Sequence, residues 1–138
     1  MLNLKTKVSE IMQSDLITVS EEDSLEKIKA VFAEHGHHHL PVVQFNKLIG
    51  LISLSDISFL VDPSSIERES IKLVVMETSH LKAKDLMKTR LAKLDPDDHI
   101  DVAIDIFANY PFHCLPVVKD EELLGIVSPV DILKNIGK

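Results

Sequence analysis

Four of the chain's seven histidines fall between His35 and His39, in the stretch "HGHHHLPVV". Imidazoles at this density can ligate a metal or meet a phosphate, because a neutral ring donates one N–H or coordinates through its lone pair and a protonated ring pairs with negative charge. Zinc needs three or four ligands converging tetrahedrally, whereas neighbouring residues of an extended segment face opposite ways. His37, His38 and His39 therefore cannot all turn inward together, which disfavours metal without excluding it. For His35 and His37, packing or exposure at a strand edge remains the plainer role. His38 differs in having a counterpart, His113, ahead of a second Leu-Pro.

A second chemistry lies in "GLISLSD". Gly50 precedes Ser53 and Asp56, a Ser-x-x-Asp pattern at the passage from a strand to a helix. The plain reading is capping, in which the two side chains satisfy free backbone amides at the helix start. The same geometry serves a ligand: spare amides and a serine hydroxyl can meet a phosphate, and a carboxylate one turn on can accept both hydroxyls of a ribose. Gly50 would then admit a planar base close to the strand. Both readings stand on one copy, but the chain carries two.

"HHLPVV" at 38–43 recurs as "HCLPVV" at 113–118, and "GLISLSDI" at 50–57 recurs as "GIVSPVDI" at 125–132, both at an offset of 75. Laying residues 8–63 on 83–138 needs no gap and matches Met12 with Met87, Asp23 with Asp98, Phe32 with Phe107, Gly50 with Gly125, Ser53 with Ser128 and Asp56 with Asp131. A duplication of this kind means two copies of one fold. The expected organisation is a first repeat over 1–62 with its lead-in, a connecting helix and loop over 63–82, and a second repeat over 83–138.

Each repeat has the same coarse order. "LITV" reads as a short strand, and "DSLEKIKAVFAEHG" as an amphipathic helix with Leu25, Ile28, Val31 and Phe32 at helical spacing and Gly36 at its end. Asp23 with Glu26, and Asp98 with Asp101, have the spacing of a capping pair. Two apolar strands follow as a hairpin, closing at Asn46 in the first copy and within "KDEE" in the second, and a last helix runs from about Ser55 to Val61 and from about Val130 to Ile136. Repeats of about 55 residues bury a sheet poorly alone, so the two are expected to share a core.

Composition narrows the function. Fifteen basic against twenty-two acidic residues give a net charge of −7, which repels nucleic acid and anionic lipid. The first residues lack the apolar core of a secretory signal and the apolar runs are short, so a cytoplasmic protein is expected. One cysteine, Cys114, permits no internal disulfide and most simply packs. No set of nucleophile, base and orienting group stands out, so an enzyme is not expected.

The pairing of "HHLPVV" with "GLISLSD", and of "HCLPVV" with "GIVSPVD", resembles the CBS domain, and the two copies look like a tandem CBS pair, or Bateman module, covering nearly the whole chain from about Val8 to Ile136. The resemblance implies a mixed α/β (α+β) fold of two β-α-β-β-α repeats with pseudo-two-fold symmetry and sheets packed face to face. It implies a free-standing regulatory module whose clefts bind AMP, ADP, ATP or S-adenosylmethionine and switch a dimer or partner surface. One cleft would take Leu51, Ser53 and Asp56 with Ala92, Lys93, His113 and Cys114; the other would take Ile126, Ser128 and Asp131 with Ile17, Thr18, His38 and His39. The aspartates would hold ribose, the serines would face phosphate, and backbone near Ile17 and Ala92 would read the base. Ala92 and Lys93 stand where the first repeat has Ile17 and Thr18, so the clefts are expected to differ. A homodimer and a regulated protein partner are also implied. The competing reading is an interaction scaffold whose Ser-x-x-Asp turns only cap helices.

Overall fold

The computed structural model of the protein describes residues 3–61 and 80–136. After a 3-10 turn at Val8–Glu10, the described elements are α1 (Leu25–His35), β1 (His39–Gln44), β2 (Lys47–Ser53), α2 (Leu54–Val61), α3 (Ala83–Leu86), α4 (Ile100–Asn109), β3 (Leu115–Lys119), β4 (Glu122–Val127) and α5 (Pro129–Lys134). This is a mixed α+β chain in which helix, hairpin, helix occurs twice. The connecting helix expected within 63–82 falls mostly outside the described residues.

The chain divides into two compact units. The first comprises Met1–Leu16, Asn46–Leu48 and Arg90–Lys138, the second Ile17–Phe45 and Ile49–Thr89. Each unit thus takes the body of one repeat and the lead-in segment of the other. In the second unit, α1 lays Leu25, Ile28 and Phe32 against Val19, Leu40, Val42, Ile52 and Ile57, and the lead-in contributes Ala83. In the first unit, Ile100 and Ala103 of α4 meet Leu94, Leu115, Val117, Val127 and Ile132, and the lead-in contributes Val8, the residue equivalent to Ala83. Backbone bonds fasten both lead-ins alike: Val8 N–H to Asp98 O and Ala83 N–H to Asp23 O, each at 2.8 Å.

Local chemistry accounts for the elements and corrects several expectations. Gly36 ends α1 with φ of 65° and donates its N–H to Phe32 O, the left-handed cap that favours glycine. Ser24, not Asp23, caps the start of α1 by accepting from Lys27 N–H, and His99 holds the equivalent place before α4 without a side-chain bond. Asp23 and Asp98 instead accept from the N–H groups of Ser20 and Asp95, three residues back, each at 2.8 Å. That turn explains why "LITV" is no strand. Val19 makes one parallel bridge to Val42, as Leu94 does to Val117, and the next N–H is already committed to the aspartate.

Both hairpins close on two left-handed residues, Phe45 and Asn46 (φ 52° and 65°) and Asp120 and Glu121 (φ 51° and 70°). These match the right-handed twist of the flanking strands, and Asn46 is the second residue of the first turn. β3 pairs antiparallel with β4 from Leu115–Val127 to Lys119–Glu122, with an irregularity between Val117 and Val118. Within the first unit, Lys47 pairs antiparallel with Glu122.

Candidate functional site

Each unit presents one Ser-x-x-Asp turn at the end of a strand, and its lead-in segment runs alongside. In the second unit, Lys88 bridges to Leu51, with N–H to O distances of 2.9 and 3.0 Å in the two directions; in the first unit Gln13 bridges to Ile126 at 2.9 and 3.0 Å. Because Lys88 and Gln13 are equivalent under the repeat, the side chain one residue beyond Met87 or Met12 is delivered to the aspartate of the turn.

The two turns then part ways. Ser128 caps α5: its Oγ accepts from Asp131 N–H at 3.3 Å, while Asp131 Oδ2 accepts from Ser128 N–H at 2.8 Å and from Ser128 Oγ at 3.0 Å. Asp131 Oδ1 accepts from Gln13 Nε2 at 3.1 Å, and the residue is only 6% exposed. Pro129 occupies the first position of α5, where no amide bond is lost. At the first-repeat turn, Ser53 Oγ lies 2.9 Å from Ser55 Oγ, and Asp56, with a side chain 43% exposed, pairs with Lys88 Nζ at 2.8 Å. His38 is brought to this turn through its backbone, its carbonyl accepting from Leu54 N–H at 2.8 Å. Pro129 at the equivalent place in the other copy has no N–H to give.

Gly50 does not serve the purpose expected of it. A methyl group on Gly50 would overlap the Met87 side chain; on Gly125 it would overlap that of Met12 and come within 2.8 Å of the Gln13 carbonyl oxygen. The missing side chains make room for the lead-in methionines, so at Gly50 the close approach expected of a planar base is taken by Met87.

Of the remaining predicted residues, the second unit holds Ile17, Thr18, His38, His39 and Leu51 together with Ser53 and Asp56, and the first holds Ala92, Lys93, His113, Cys114 and Ile126 with Ser128 and Asp131. Thr18, His38, Lys93 and His113 are exposed; Ile17, His39, Leu51, Ala92 and Ile126 are half-buried. The His35 and His37 rings stack with centroids 6.1 Å apart. Among the described residues, no three His, Cys, Asp or Glu side chains are grouped as a metal ion requires, and no helix is long and apolar enough to cross a membrane.

With this geometry in hand, comparison with known proteins is decisive for the family: the CBS domain matches residues 8–62 and 83–138. The chain belongs to the CBS-domain family. It is a single tandem CBS pair. It is 33% identical over 133 residues to the uncharacterized protein MJ0188 of Methanocaldococcus jannaschii, covering 96% of this chain and 44% of that protein. This CBS pair thus spans less than half the length of the curated relatives it matches first. Among solved structures, the CBS domain of a CBS domain-containing membrane protein from Sphaerobacter thermophilus superposes with a TM-score of 0.76 at 26% identity, covering 95% of this chain and 88% of that one. CBSX2 in complex with AMP shares the fold with a TM-score of 0.76 at 22% identity, covering 93% of each chain.

Two electrostatic features of the CBS pair lie outside the Ser-x-x-Asp turns. Cys114 is buried, and burial first and the Asp131 carboxylate second push its thiol up to about 12, which leaves it protonated and packed rather than redox-active. Glu22 sits between Lys82 Nζ at 2.6 Å and Lys84 Nζ at 2.9 Å, and these hydrogen bonds, that from Lys82 first, hold its carboxyl at about 2. Both lysines lie on the lead-in, so the triad ties the loop before α1 to the segment that completes the core. Sequence alone gave no signal for it, since the partners are 60 and 62 residues apart.

Proposed function

We propose that this CBS pair is a cytoplasmic regulatory module that binds an adenosyl ligand, an adenine nucleotide such as AMP, ADP or ATP, or S-adenosylmethionine, and passes the binding on to a homodimer or partner surface. The observation that carries the reading is the Asp56 carboxylate, exposed on a Ser-x-x-Asp turn and held by one flexible lysine. A carboxylate so placed is free to accept two ribose hydroxyls, and Ser53 beside it can donate to phosphate. That a CBS pair of the same fold is found in complex with AMP supports the ligand class.

Two residue sets enter the proposal, carried over by resemblance. They are Leu51, Ser53 and Asp56 at one Ser-x-x-Asp turn, and Ile126, Ser128 and Asp131 at the other. Signalling requires that the ligand bind two arrangements of the protein unequally.

One observation favours a second reading, an interaction scaffold without ligand: the Ser128–Asp131 box is a complete helix cap by itself. Thermal unfolding with AMP, ADP, ATP and S-adenosylmethionine separates the two. A ligand at a hundred times its dissociation constant adds about 2.7 kcal/mol of stability, whereas a scaffold melts at the same temperature throughout. An ATP hydrolysis assay run in parallel tests the regulatory assignment, which expects no turnover.

A further inference from the structure

Resting on that reading, we infer that Lys88 is a specificity-determining residue that makes the Asp56 turn select anionic adenosine phosphates over adenosine and over the cationic S-adenosylmethionine. The repeat supplies its own control. Position 13 and position 88 are equivalent, both lie one residue beyond a methionine seated on a strand glycine, and both reach the aspartate of their turn. Gln13 is neutral, and it adds one N–H to a carboxylate already buried in its capping box. Lys88 brings a full charge on a four-carbon stem to a carboxylate that is open to solvent, with the two side chains 69% and 43% exposed.

An ion pair this exposed holds its partners weakly, so a ribose diol can displace the ammonium and take the carboxylate. The displaced ammonium then lacks a counter-charge while remaining tethered within reach of the ligand. A phosphate on the same nucleoside supplies that charge through a charge-assisted hydrogen bond; an uncharged nucleoside does not, and a sulfonium brings a second positive charge to the same place. Ser53 and Ser55, 2.9 Å apart at the same turn, add hydroxyl donors that also favour an anion. The pair therefore works as an exchange, Asp56 passing from lysine to sugar and Lys88 from aspartate to phosphate.

Isothermal titration of the full chain with AMP, adenosine and S-adenosylmethionine tests this in the wild type, Lys88→Gln and Lys88→Arg. The wild type is expected to bind AMP tightest. Lys88→Gln should lower the ratio of AMP to adenosine affinity about tenfold or more, the worth of one charge-assisted bond, and Lys88→Arg should keep most of the preference. Melting curves confirm that the variants fold. If Lys88→Gln weakens AMP and adenosine equally, or if the wild type prefers S-adenosylmethionine, the role of Lys88 is refuted while the adenosyl-binding reading survives. If the wild type binds none of the three, both fall.

Discussion

Lys88 stands to Asp56 as Gln13 stands to Asp131: the same position of the repeat contacts the same carboxylate, at 2.8 Å in one unit and 3.1 Å in the other. The frame is duplicated, and the chemistry built on it has diverged. One aspartate is buried and engaged both with its own helix cap and with Gln13; the other is exposed in an exchangeable ion pair.

Stability should register that divergence. Asp131→Ala removes a helix cap and strands Gln13 and the Ser128 amide, and is expected to cost about 1–3 kcal/mol. Asp56→Ala breaks a solvent-exposed pair and should cost less than about 1 kcal/mol. Denaturant unfolding of the two variants checks the ordering; equal losses would contradict it.

The lead-in methionines yield a second expectation. Gly125→Ala meets both the Met12 side chain and the Gln13 carbonyl, whereas the nearest atoms to a methyl on Gly50 all belong to the Met87 side chain. Overpacking of this kind costs about 1–3 kcal/mol, with Gly125→Ala the worse of the two because backbone yields less readily. Adding Met87→Ala should restore part of the loss in Gly50→Ala, and the thermal midpoints of the single and double variants measure it.

Acid should loosen the second unit at Glu22. Its carboxyl is lowered from 4.5 to about 2 by Lys82 and Lys84, so the folded state favours the ionised form. The stabilisation is complete above the unfolded value of 4.5 and is lost as pH falls toward 2. Because the triad is exposed, salt should weaken it as well. Wild type and Glu22→Gln compared from pH 6 to pH 2 should differ in unfolding midpoint at the upper end and converge at the lower. A constant difference would place the effect elsewhere.

Cys114, held near 12 by burial, should resist thiol reagents at pH 8 in the native protein and react at the ordinary rate once denatured. Rapid labelling of the folded chain with a thiol-reactive chromophore would show the site to be open.

Much of this was legible in the sequence, because a gapless offset of 75 repeats the Leu-Pro-Val-Val strand, the hairpin near Asn46 and the Ser-x-x-Asp turn, while Gly36 marks the helix stop in the first copy alone. Local periodicity and turn chemistry carry those features. What escaped were relationships between distant segments. Val8, Ile11 and Met12 are apolar whichever core they join, so nothing local says that they complete the unit containing the second repeat. Gly50 looked like space for a ligand because the methionine that fills it lies 37 residues away in the chain. For the same reason Lys88 and Gln13, polar residues in unremarked segments, gave no hint that they tune the aspartates.

The most direct test of the account is isothermal titration of AMP into the wild-type chain and into Asp56→Asn. The account predicts saturable binding to the wild type and a loss of about tenfold or more in the variant, the cost of removing a charged acceptor from the ribose hydroxyls. Unchanged affinity in Asp56→Asn, with the variant folded, would contradict it.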